Sequence, residues 1–122
     1  MKLKIKDQIP ETEIFHLVDG EPQKVKLREI LGNGKVILFG LPGAFTSTCS
    51  KFHLPGFVVN ADKLKAKGIK NIFCLSANDP YVMNAWGEIN KTENKIKMLS
   101  DPYLLFTKAI GAEVDRNAKG MG

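Results

Sequence analysis

The segment 35–40, KVILFG, is what most restricts the folds open to this chain. Its apolar residues run continuously instead of alternating, so neither face of a strand built from it can be left to water. Strands of that kind sit inside parallel sheets, covered by helices on both sides. A second run, NIFCLSA at 71–77, has the same character, and 96–99 is a shorter third strand. Residues 13–18 are a further strand candidate.

The stretches between these runs carry helical spacing. Leu54, Phe57, Val58, Ala61 and Leu64 recur every three or four residues, and Gly68 stands where a helix ends on glycine. Pro55 lies inside that pattern and predicts a kink. Asp79-Pro80 is an N-cap followed by a proline suited to the first helical position, and Val82, Met83, Trp86 and Ile89 then form an apolar face. Asp101-Pro102 repeats the signal before Leu105, Phe106, Ala109 and Ile110, with Gly111 closing the helix. A short helix is expected at 25–31, ahead of Gly32. Strands alternating with helices imply a single α/β domain over residues 1–122, built on a mostly parallel sheet.

Charge narrows the function classes. The chain carries a formal charge of +5, but of its 18 basic residues only Arg28 and Arg116 are arginine, and the lysines are scattered. No basic stripe interleaved with aromatics appears, so a solvated lysine surface is expected, with no nucleic-acid partner. Residues 1–10 alternate lysine with apolar residues and contain no secretory h-region. The longest nearly apolar stretch, 36–45, holds Gly and Pro and is too short to span a bilayer. A cytosolic protein with no membrane segment is the expectation, and there cysteines are more often reactive or simply buried than paired in structural disulfides.

Of the two cysteines, Cys49 is the one placed for chemistry. The loop 41–48 leaves the buried strand on its carboxyl side, where α/β sheets carry their ligand sites. With Thr46 as N-cap, Cys49 is the third residue of the helix that follows, and the threonine hydroxyl lies close to its sulfur. Unpaired N–H groups and the helix dipole at such a position favour the thiolate, the reactive form of cysteine. A cysteine that merely packs at a helix start fits these residues equally well. His53, four residues on, and His16 are too few for a metal cluster, and a structural role for His53 is expected. Cys74, inside the second buried run, reads as a small buried hydrophobe.

Pro42, Thr46 and Cys49 fill the pattern Pro-x-x-x-Thr/Ser-x-x-Cys, and the chain resembles the type II, or subfamily-five, peroxiredoxins. The likeness extends over GLPGAFTSTCSKFHLPGF at 40–57, CLSANDPYVMNAW at 74–86 and the Gly120-Met-Gly122 segment, in the same order and spacing. It implies a thioredoxin-like fold and a thiol-dependent peroxidase acting on hydrogen peroxide and alkyl hydroperoxides, with a part in redox homeostasis. Cys49 would become a sulfenic acid, Pro42 would shield it, Thr46 would orient peroxide and thiolate, and backbone N–H groups around 44–49 would polarise the O–O bond. It further implies no bound cofactor, an external reductant of the glutaredoxin/glutathione or thioredoxin type, and a homodimer packing near the Cys49 loop. In some relatives a cysteine matching Cys74 resolves the sulfenic acid; others rely on an external thiol.

Two departures from the family pattern stand out. Ser47 occupies a position where the family commonly has proline, which should cost a little local rigidity and no chemistry. The family also places an active-site arginine, a β-hairpin and a final helix after the Gly-Met-Gly segment. Neither Arg28 nor Arg116 lies in that motif, so the expectation is a domain lacking the C-terminal part. A non-catalytic thioredoxin-like sensing or interaction module is the alternative.

Overall fold

The computed structural model describes residues 2–46, 54–93 and 95–121. Five strands form one sheet: β1 (Glu13–Val18), β2 (Glu21–Lys26), β3 (Val36–Gly40), β4 (Asn71–Ser76) and β5 (Lys97–Ser100), in the order β2-β1-β5-β4-β3. The helices are α1 (Leu27–Leu31), α2 (Leu54–Ala66), α3 (Pro80–Ile89) and α4 (Leu105–Ala109). β3, β4 and β5 run parallel, and β1 pairs antiparallel with both β2 and β5. The parallel half is the part foreseen from the continuous apolar runs. The antiparallel half is a hairpin turning at Asp19-Gly20, where both residues have positive φ (51° and 81°). That is the backbone of a two-residue turn whose twist matches its strands.

β4 organises the core because it is covered on both faces. Ile72 and Cys74 point to one side and Phe73 and Leu75 to the other, the period of two that a pleated strand imposes. On the first side they join Phe39, Leu54 and Ala61, with Met83 and Trp86 of α3. On the second they join Ile14 of β1, Leu27 and Leu31 of α1, Leu99 of β5 and Phe106 of α4. α2 is locked to β3 by the rings of Phe39 and Phe57, stacked with centroids 4.0 Å apart.

Local signals explain most element ends. Asp79 caps α3 by accepting the Val82 N–H at 2.9 Å, with Pro80 at the first helical position. The second Asp-Pro pair works differently from the expectation. α4 begins at Leu105, not at Pro102, because the Asp101 carboxylate reaches further along the chain: it accepts from the Thr107 N–H at 2.8 Å and the Thr107 hydroxyl at 2.7 Å. Pro102 lies instead in the turn closed by the Leu104 N–H on the Asp101 carbonyl. The helix expected at 25–31 is shorter, since Val25 and Lys26 belong to β2. Pro55 is the second residue of α2 as described, and the chain just before it, residues 47–53, lies outside the described set, so the kink expected there is not described.

α3 lies close against β5 because position 87 has no side chain. A Cβ built on Gly87 would come within 2.8 Å of both Met98 Cγ and Thr92 Oγ1, and the Thr92 hydroxyl already donates to the Gly87 carbonyl. Gly87→Ala should therefore destabilise the fold by about 1–3 kcal/mol, the usual cost of overpacking, read as a lower urea midpoint at unchanged slope. His16, half-buried on β1, has its pKa lowered from 6.5, first by burial and then by the positive charge of Lys97. The unfolded chain then binds this proton more readily than the native state, so stability should fall as pH drops below 6.5 toward the lowered value. His16→Gln should remove that part of the acid sensitivity in thermal melts across the same window.

Candidate active site

The parallel register brings three strand ends together. Gly40 stands opposite Leu75, and Ser76 opposite Ser100, so β3, β4 and β5 finish at the same edge of the sheet. The Leu41 N–H extends the ladder by one bond to the Leu75 carbonyl, 3.1 Å, and the chain then leaves the sheet through Pro42. Pro42 is exposed, while Gly43 and Ala44 turn inward and are buried.

The segment 43–46 is a tight turn held at several points. Phe45 has φ +63°, the left-handed region that turns normally reserve for Gly or Asn, at a cost on the order of 1–2 kcal/mol. Such a conformation persists only where its surroundings over-determine it. Here the Thr46 hydroxyl donates to the Gly43 carbonyl at 2.8 Å, and the Ala44 N–H donates to Asn78 Oδ1 at 2.7 Å. The Phe45 ring, 53% exposed, tilts over Trp86 with centroids 6.4 Å apart.

Two consequences for chemistry follow. A hydroxyl has one proton to give and lone pairs to receive with. Because Thr46 spends its proton on Gly43, it is left as an acceptor toward anything else. The Ala44 N–H is likewise committed to Asn78, so this one of the backbone donors expected around 44–49 is already paired.

Of the residues singled out from the sequence, Pro42 and Thr46 are brought to this edge, whereas Cys49 and His53 lie outside the described residues. Cys74 is fully buried in the middle of β4, laddered to Phe39 on one side and Met98 on the other. Sequence reasoning missed Asn78 and the two serines beneath it. Ser76 Oγ donates to Asn78 Oδ1 at 2.9 Å, and Ser100 Oγ donates to the Asn78 carbonyl. The available signal was the pattern itself: both serines end apolar strands, on the edge where ligand sites lie.

Pro42 also borders a cavity of about 440 Å³, lined largely by apolar groups such as Leu38, Leu75, Phe106 and Met121. Arg116, to which the motif gives no role, lines the same space. A larger cleft of about 710 Å³ runs past His16, Glu88 and Lys97 but touches none of Pro42, Thr46 and Asn78.

A mixed sheet of this topology, helix-covered on both faces, defines a thioredoxin-like domain. The redoxin family model matches residues 4–121. Rice peroxiredoxin-2C is 43% identical over 118 residues, which cover 95% of this chain and 72% of the relative. The crystal structure of reduced Prx3 from Vibrio vulnificus in complex with hydrogen peroxide superposes with a TM-score of 0.89 at 42% identity, covering 93% of this chain and 72% of that one. The Plasmodium falciparum antioxidant protein, a 1-Cys peroxiredoxin, matches with a TM-score of 0.91 at 32% identity, covering 98% and 72%. The chain belongs to the redoxin family and, within it, to the peroxiredoxins.

Proposed function

We propose that this chain is a thiol-dependent peroxidase whose reacting atom is the Cys49 sulfur. The observation that carries this is the turn delivered by β3: in a peroxiredoxin chain, Pro42 and a Thr46 hydroxyl fixed by the Gly43 carbonyl come seven and three residues before Cys49 in the sequence. In the first step the thiolate attacks the terminal oxygen of R–O–O–H. The S–O bond forms as the O–O bond breaks, and the leaving alkoxide takes up a proton as ROH. Thr46, its own proton committed, accepts from the peroxide O–H and so directs that oxygen to the sulfur. In the second step two equivalents of an external thiol reduce the sulfenic acid, releasing water and a disulfide.

The external route is favoured by the position of Cys74. Its sulfur lies within β4, between two ladders and with no solvent exposure, so disulfide geometry with Cys49 would require the strand to open. Cys74 acts instead as a core-filling group, and the reductant is glutathione with glutaredoxin, or thioredoxin. No bound cofactor is needed. A reducing compartment such as the cytosol supplies that thiol pool, and no helix among the described residues is long and apolar enough to cross a membrane. The exposed Phe45 ring beside the loop offers an apolar surface on which two copies would meet as a homodimer. The non-catalytic module is not favoured.

Stopped-flow oxidation by hydrogen peroxide tests the central claim. The native chain should react orders of magnitude faster than free cysteine, and Cys49→Ser should lose that reaction entirely. Thr46→Val should slow it by about 10²-fold, the scale of losing one aligned hydrogen-bonding group, while Thr46→Ser keeps most of the rate. A native rate no greater than that of free cysteine would overturn the assignment. Mass spectrometry after one equivalent of peroxide should find sulfenic acid on Cys49; an intramolecular disulfide to Cys74 would show that Cys74 resolves it.

A further inference from the structure

We infer that Asn78 is a positioning residue for the peroxidase reaction, fixing the Gly43–Thr46 turn from the neighbouring strand end so that the Thr46 hydroxyl presents the correct geometry to peroxide. The inference rests on the peroxidase reading above and goes beyond it, since Asn78 is no part of the Pro-Thr-Cys motif.

The orientation of the carboxamide is set by its partner. A backbone N–H can only donate, so the Asn78 atom that meets Ala44 at 2.7 Å must be the oxygen. The Ser76 hydroxyl donates to the same oxygen at 2.9 Å, and the Ser100 hydroxyl donates to the Asn78 main-chain carbonyl. Ser76 is 4% exposed and Ser100 not at all, so water does not compete for these bonds. The Ser76 carbonyl in turn accepts the Asp101 N–H at 2.8 Å. One residue is thus braced by the ends of β4 and β5 and holds the loop that leaves β3.

The loop depends on that bond. Ala44 is buried, and its amide would be left without an acceptor if the carboxamide were removed, at a cost of about 1–3 kcal/mol. The next residue, Phe45, sits at φ +63° and relaxes once an anchor is lost. Thr46 follows directly, so the relaxation reaches the hydroxyl that faces substrate. Among the described residues Asn78 is bonded to the Ala44 amide of the turn and to the two strand-end serines, so its effect should fall on geometry and leave the intrinsic nucleophilicity of the thiolate alone.

That separation is what the experiment reads. Two reactions of Cys49 are compared in native chain, Asn78→Ala and Asn78→Asp, each at a pH where its thiolate is fully formed. One is oxidation by hydrogen peroxide, which needs the aligned loop; the other is alkylation by iodoacetamide, which needs only an accessible thiolate. Asn78→Ala should lose about 10²-fold in the peroxide reaction, the scale of a misplacement near 1 Å, with alkylation changed less than about threefold. Asn78→Asp keeps an oxygen facing Ala44 and should recover most of the peroxide rate. Ser76→Ala, a milder change that removes one brace, should give a smaller loss of the same selective kind and serves if Asn78→Ala does not fold. A peroxide rate within threefold of native in Asn78→Ala, an equal fall in both reactions, or failure of Asn78→Asp to recover would overturn the role of Asn78 while a fast native chain left the peroxidase reading intact. A native chain no faster than free cysteine would remove both.

Discussion

The parallel register of β3, β4 and β5 is the constraint on which the rest of the molecule depends. Because Gly40 pairs with Leu75 and Ser76 with Ser100, three strands end at one level. The chain segments that follow them must therefore share one small region of the surface. A polar residue there can bond to all three segments at once, as Asn78 does. Slipping one strand by a single residue would reverse its side chains and carry Phe73 and Leu75 to the α2/α3 face. The core and the loop geometry are thus two results of one hydrogen-bonding pattern.

Much of this was legible beforehand, for stated physical reasons. The uninterrupted apolar runs at 35–40 and 71–77 predicted strands buried on both faces: β4 is one, whereas β3 ends the sheet among the described residues and only its Phe39 is buried. Asp79-Pro80 carries its own cap chemistry and needed no tertiary information. β2 was not legible in the same way. EPQKVK is polar and mostly exposed, an edge strand held by its pairing with β1 and not by burial, and its lysines and proline discourage further pairing. The one local clue was Asp19-Gly20. The start of α4 was missed because Asp101 caps residues five and six positions further on, beyond the usual span of a capping aspartate.

The candidate site divides along the same line. Pro42 and Thr46 belong to a contiguous motif, so the resemblance to the peroxiredoxin pattern singled them out. Asn78, Ser76 and Ser100 act across the sheet on a loop more than thirty residues away in sequence, and only the fold reveals the contact. Cys74 shows the reverse: an eye-catching residue whose place inside β4, a strand paired on both sides, gives it packing duties first.

The contact between Phe45 and Trp86 has a practical side. Trp86 is the chain's only tryptophan, fully buried on α3, and its indole lies 6.4 Å from the one aromatic ring carried on the tight turn. Any rearrangement of that turn alters the packing and polarity around the sole strong fluorophore. The molecule therefore carries its own optical gauge: emission from one indole, without labels, follows what happens at that turn, and no second tryptophan dilutes the signal.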